Sequence, residues 1–121
     1  MKFLWTTITV KNLEESLQFY RQVLDLHPYE RFKAGPHMEI AFLRTEETAI
    51  ELIQDQRSEV SPSCSSISLG FQVPSLDEIS HHLKELSIPI LGGPIQPNET
   101  MRFIYIKDPN GVKIQLVELQ N

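Results

Sequence analysis

The chain has a single cysteine, Cys64, so neither an internal disulfide nor a cysteine-built zinc cage can form. Basic residues are also scarce: 11 Lys and Arg stand against 16 Asp and Glu for a net charge of −5, and no cluster of them appears. A surface that tracks phosphates needs a concentrated basic stripe, so no nucleic-acid partner is expected. Long apolar runs are missing too. Met1-Lys2-Phe3-Leu4-Trp5 meets Thr6 and Thr7 before a signal-length stretch develops, and no other segment approaches a membrane span. A cytoplasmic protein with no membrane partner is the expectation. What the chain does have is apolar residue enough, 40% of 121 positions, to bury one ordinary core.

It also repeats itself. Val10-Lys11-Asn12-Leu13-Glu14-Glu15 returns as Val73-Pro74-Ser75-Leu76-Asp77-Glu78, an offset of 73 − 10 = 63 residues, and Ile50-Glu51-Leu52 returns as Ile114-Gln115-Leu116, an offset of 114 − 50 = 64. Two matches so nearly in step indicate one duplicated supersecondary unit, too long in period for the common solenoids and present only twice. The expected organisation is a single domain over 1–121, built from repeats at about 1–56 and 66–121 with a connector at 57–65.

Within the first repeat, alternation from Phe3 to Val10 predicts a strand with Leu4, Ile8 and Val10 on one face and Phe3, Trp5, Thr7 and Thr9 on the other. Asn12 caps a helix that carries Glu14 and Glu15 in its first turn and is expected to end near Leu26. A loop with Gly35 and Pro36 leads to strands at His37–Leu43 and Thr48–Gln54. Asp55 to Ser65 lacks an apolar period and reads as connector. The second repeat follows with a strand from Ser66 to Val73, a helix from Ser75 to about Ser87, and a Gly/Pro loop from Gly92 through Pro97. It closes with a strand from Arg102 to Ile106, the turn Asp108-Pro109-Asn110-Gly111 and a strand from Val112 to Leu119.

Two segments carry a family resemblance: the opening Trp5-Thr6-Thr7-Ile8-Thr9-Val10 with Leu13-Glu14-Glu15-Ser16-Leu17-Gln18-Phe19-Tyr20, and the closing Asp108-Pro109-Asn110-Gly111-Val112-Lys113-Ile114-Gln115-Leu116-Val117-Glu118. With them the chain resembles the vicinal oxygen chelate superfamily, which includes glyoxalase I, extradiol dioxygenases and bleomycin-resistance proteins. The resemblance implies an α+β fold of two tandem βαβββ modules whose sheets curl into a cup, with helices outside and the ligand site inside. For a short two-module chain it also implies a homodimer, each cup completed by modules from two subunits.

Enzymes of the superfamily hold a divalent metal on the cup floor with side chains from the first and last strand of each module. The resemblance puts those positions at Trp5, Glu51, Ser68 and Gln115. The repeat agrees, since 68 − 5 = 63 and 115 − 51 = 64, and strand alternation places all four opposite the aliphatic face. Only Glu51 among them is a carboxylate, so no metal or other cofactor is expected, nor classical glyoxalase chemistry, which needs a second Glu as base. An indole, a carboxylate, a hydroxyl and a carboxamide suit recognition instead. If Asn110-Gly111 forms a glycine-bulged turn, Tyr105 lies opposite Gln115 with Phe103 above it, and Ile53 and Val117 complete an apolar, aromatic lining. The expected function is therefore binding of a flat or aromatic small molecule, which the protein sequesters or senses.

Two alternatives stand beside it. One is a glyoxalase-type lyase or dioxygenase-related metalloenzyme with a non-standard site, Glu51 acting as catalytic base or His37, Glu39 and Glu51 holding a divalent metal. The other is a dimeric scaffold or regulatory module whose cup is filled. Arg102 borders the Gly/Pro loop, expected over the cup mouth, and is expected to meet an anionic ligand. His81 and His82 are adjacent on a helix, so they point about 100° apart and do not chelate. Cys64 has no basic pair nearby to activate it, and Asp108 reads as a turn-former.

Overall fold

In the computed structural model of the chain, which describes residues 1–59 and 66–120, the opening alternation forms β1 (Trp5–Thr9). Asn12 then caps α1 (Leu13–Leu24), its side chain accepting from the Glu15 backbone N–H at 3.0 Å, with Glu14 and Glu15 beside the positive end of the helix dipole. The helix stops earlier than Leu26 because Asp25 turns left-handed (φ 54°), its N–H returning to the Arg21 carbonyl. Three strands follow: β2 (Pro28–Lys33), β3 (Met38–Arg44) and β4 (Ala49–Asp55). The second module repeats the order with β5 (Ser68–Gln72), α2 (Leu76–Glu85), β6 (Gly92–Asn98), β7 (Met101–Lys107) and β8 (Lys113–Leu119).

Each module is thus a βαβββ unit with one mixed sheet. The strand orders are β1-β4-β3-β2 and β5-β8-β7-β6, with the β1–β4 and β5–β8 pairs parallel and the rest antiparallel. The two compact units span Met1–Pro62 and Ser63–Asn121. Alternation decides which face of each sheet the helix covers. In the first unit Ile8, Ala41, Leu43, Ile50 and Leu52 are buried with Leu13, Leu17, Tyr20 and Val23 of α1; in the second, Ile104, Ile106, Ile114 and Leu116 are buried with Leu76 and Leu83 of α2.

Two segments expected to be loops are strands. β2 was hidden because all six of its residues are exposed: as an edge strand it has no apolar alternation to read. It is held by its ladder to β3 and by Arg31, which pairs with Glu39 of β3 (2.9 Å) and with Glu14 of α1. β6 was hidden by its Gly and Pro content, which reads as a loop but is admitted on an edge strand, where a missing N–H need not break a central ladder. Gly93 is required there. At φ 94° an added Cβ would sit 2.6 Å from the Phe103 carbonyl oxygen.

The change of offset from 63 to 64 also has a place in the fold. Thr45 N–H closes onto the Thr48 carbonyl in the first module, whereas Asp108 N–H closes onto Val112 in the second, so the extra residue sits in the β7–β8 turn. Gly111 takes φ 84° there, and buried Asp108 accepts from the Asn110 and Val112 N–H groups at 2.8 Å each. Asp108 therefore organises the turn.

Candidate functional site

A side chain from the last strand of each module marks which face looks toward the helix. Gln54 of β4 accepts the backbone N–H of Leu13 at 2.6 Å, and Glu118 of β8 accepts that of Leu76 at 2.9 Å. Each satisfies an otherwise unpaired donor at a helix start. Even-numbered residues of β4 and β8 therefore face the helices, and Glu51 and Gln115 face away. The four positions read from the sequence, Trp5 and Glu51 in the first module and Ser68 and Gln115 in the second, all lie on these far faces.

On the first far face Glu51 sits between Thr7 of β1 and Phe42 of β3. The Thr7 hydroxyl donates to Glu51 Oε1 at 2.7 Å. Around them lies an aromatic cluster in which Phe42 meets Trp5 edge-on at 5.2 Å, Phe32 stacked at 6.5 Å and Tyr29 at 6.1 Å. The Arg44 guanidinium lies 4.2 Å over the Tyr29 ring. A recess of about 390 Å³ opens at this end, lined by Trp5, Tyr29, Arg44 and the turn residues that follow it, Glu46 and Glu47 among them.

The second far face is built in rows. Lys107, Lys113 and Ser68 form one; Tyr105, Gln115 and Gly70 the next; Phe103, Val117 and Gln72 the third. Tyr105 lies opposite Gln115, as the bulged turn required, and meets Phe103 edge-on at 5.4 Å. Lys113 Nζ stands 4.1 Å over the Tyr105 ring.

Two expectations are corrected by this geometry. Arg102 does not reach the far face. It pairs with Glu118 across β7 and β8 (2.7 Å) on the helix side, where Glu118 also holds the start of α2. Arg102 and the Leu76 N–H together keep the Glu118 carboxyl below its ordinary pKa. Nor do His37, Glu39 and Glu51 converge: Glu39 opposes Gln54 on the helix side, bound to Arg31, while Glu51 opposes Phe42 on the far side. Arg31 holds the Glu39 carboxyl below its ordinary pKa. Among the described residues no group of three or more His, Cys, Asp and Glu is placed to hold a metal. His81 is exposed and pairs with Glu85 at 3.3 Å; Cys64 lies outside the described residues.

The paired βαβββ order, with the far-facing positions at the same places in each repeat, has a counterpart among known proteins. The family model described as Glyoxalase/Bleomycin resistance protein/Dioxygenase superfamily matches residues 2–116. The chain belongs to this superfamily. Solved structures with the same fold include a glyoxalase family protein from Bacillus cereus, 20% identical with a TM-score of 0.84 over 100% of this chain and 95% of that one. A trypanothione-dependent glyoxalase I from Leishmania major is 19% identical with a TM-score of 0.81, over 99% of this chain and 86% of that one. A fosfomycin resistance protein from Listeria monocytogenes, solved with Mn(II) and sulfate, is 16% identical with a TM-score of 0.74 over 98% and 90% of the two chains. At these identities the likeness is one of fold.

For a glyoxalase-superfamily chain the donor set is unusual. Of the four positions read from the sequence only Glu51 is a carboxylate, and the polar group bound to it is the Thr7 hydroxyl. Tight binding of zinc or a comparable divalent ion draws on several imidazole, thiolate or carboxylate donors, and a lone carboxylate beside a hydroxyl and an indole does not fit that demand. Thr7, Lys107, Lys113 and Gly70 were not singled out from the sequence. Register supplies them: once Glu51 and Gln115 are fixed, their parallel-strand neighbours must be Thr7 and Gly70.

Proposed function

We propose that this member of the glyoxalase superfamily is a metal-independent small-molecule-binding protein that sequesters or senses a flat or aromatic ligand. The observation that carries the reading is the make-up of the two far faces, where Trp5, Phe42, Tyr105 and Phe103 supply ring surface and Glu51, Ser68 and Gln115 supply isolated polar anchors. Glu51, held by Thr7, serves as a hydrogen-bond acceptor in this reading rather than as a catalytic base. The protein works as a cytoplasmic homodimer, and light scattering at one chain mass across the working concentration range would sink the dimer.

The deciding test is calorimetric titration of the untagged protein and of Glu51→Ala with Zn²⁺, Ni²⁺, Mn²⁺ and Fe²⁺. Micromolar metal is expected to give no heat in either. One metal per chain, lost in Glu51→Ala, would overturn the reading in favour of a metalloenzyme. Aromatic ligands are then screened through the fluorescence of Trp5, the only tryptophan.

A further inference from the structure

Lys107 and Lys113 are direct cross-strand partners on the far face of the second module, so their side chains leave the sheet side by side. Like charges in that arrangement repel, and neither lysine has a carboxylate within salt-bridge distance among the described residues. The four strands β5 to β8 contain one acidic residue, Glu118, and it is turned to the helix side and committed to Arg102 and Leu76. Asp108, next in the chain to Lys107, is buried with its oxygens taken by the turn. In a chain of net charge −5, this is a local positive site without its counter-charge.

Its neighbours define what would supply that charge. Ser68 is the β5 partner of Lys113 and adds a hydroxyl to the two ammonium groups. Lys113 is steered over the Tyr105 ring, which directs the ammonium toward the next row. There Gly70 leaves room for no more than a methyl group before the Gln115 carboxamide: a Cβ at Gly70 would lie 3.5 Å from Gln115 Oε1, in ordinary contact. Beyond it come the apolar surfaces of Phe103 and Val117, with Gln72 on the β5 side of the row. The sequence of rows is therefore cation and hydroxyl, then carboxamide and ring, then an apolar floor edged by Gln72.

We infer that the second module takes a flat or aromatic ligand bearing an oxyanion, the anion held by Lys113, Lys107 and Ser68 and the ring lying along Tyr105 toward Phe103. The inference rests on the small-molecule reading above and adds the charge of the ligand and its orientation. The first module offers no equivalent, because Glu51 occupies its far face and Glu46 and Glu47 stand beside Arg44.

The test uses three probes with one ring system: 2-naphthoate, 2-naphthyl phosphate and the neutral 2-naphthamide. Binding is followed by amide chemical shifts in ¹⁵N-labelled protein. At least one of the two anions is expected to bind about tenfold more tightly than the amide, the contribution of one hydrogen bond to a charged group, with shifts centred on β5, β7 and β8. The tighter of the two identifies the headgroup. Lys113→Met and Lys107→Met are expected to erase the preference, bringing the anions' affinity down to that of the amide. Equal binding of all three probes, or a preference that survives both substitutions, would overturn the anion while leaving the aromatic reading intact. Shifts confined to the first module would overturn the placement. No binding of any probe would remove the inference together with the reading beneath it.

Discussion

Two glycines of the second module should respond with opposite signs to the same substitution. At Gly93 an alanine Cβ would lie 2.6 Å from the Phe103 carbonyl oxygen and 3.1 Å from the Ile104 Cα, both backbone atoms that cannot swing aside, and φ is 94°. The left-handed conformation costs a non-glycine residue roughly 1–2 kcal/mol, and displacing well-packed neighbours costs roughly 1–3 kcal/mol more. Gly93→Ala is therefore expected to lose about 2–5 kcal/mol. At Gly70 the same methyl group meets only Gln115 Oε1, at 3.5 Å, an ordinary contact, and the backbone is an extended strand. Restricting the unfolded chain should there stabilise by about 0.4–1 kcal/mol. The two variants should then differ by at least about 2 kcal/mol, several degrees in melting temperature for a chain of this size. Far-UV circular dichroism in urea and on heating is the assay, because Trp5 lies in the other module and its fluorescence would not report the event directly. Equal stabilities would refute the close approach of β6 to β7. A Gly70→Ala loss as large as that of Gly93→Ala would mean that the space beside Gln115 is filled.

Two further perturbations test the helix-side polar groups. Gln54→Ala removes the acceptor of the Leu13 N–H (2.6 Å) and should cost about 0.5–2 kcal/mol, the range for losing a helix N-terminal partner, with loss of amide-exchange protection concentrated in the first turn of α1. The Arg102–Glu118 pair sets a pH dependence: because Glu118 is held below the ordinary glutamate value of 4.5, its contribution to stability is complete above that pH and disappears as pH falls through the lower folded value. Urea midpoints measured from neutral to acid pH should fall less steeply in Glu118→Gln than in the natural protein. Parallel curves would refute the coupling.

The fold was legible where a period existed. Ile8, Val10, Leu13, Leu17 and Tyr20 follow strand and then helix spacing, and all are buried against one another's elements. The edge strands were not legible from the residues, since β2 buries none of its side chains and β6 carries Gly and Pro where a central strand could not. Of the candidate site, the four far-facing positions could be read because alternation and the repeat both constrain them. Arg102 was placed by its nearness to the Gly/Pro loop, although alternation with Phe103 and Tyr105 turns it to the helix side, where its partner Glu118 is sixteen residues away across a turn. Glu39 went astray for the same reason, its distance from Glu51 in sequence saying nothing about which side of β3 it leaves.

The internal repeat also shows why the two faces of each sheet carry such different information. On the helix side the equivalent pairs are Ala41 and Ile104, Leu43 and Ile106, Ile50 and Ile114, and Leu52 and Leu116: all eight are apolar and buried, because each must fill a gap beneath a helix. On the far side some equivalents keep their character, Phe42 and Tyr105 as rings and Arg44 and Lys107 as cations, while Trp5 and Ser68, Thr7 and Gly70, and Ala49 and Lys113 differ in size or charge. These positions lie away from the helix of their own module. The packing side is therefore uniform between the repeats, while part of the far side is free to differ. The duplicated scaffold can therefore carry a ring-rich face in one copy and a face with two adjacent lysines in the other without altering its core.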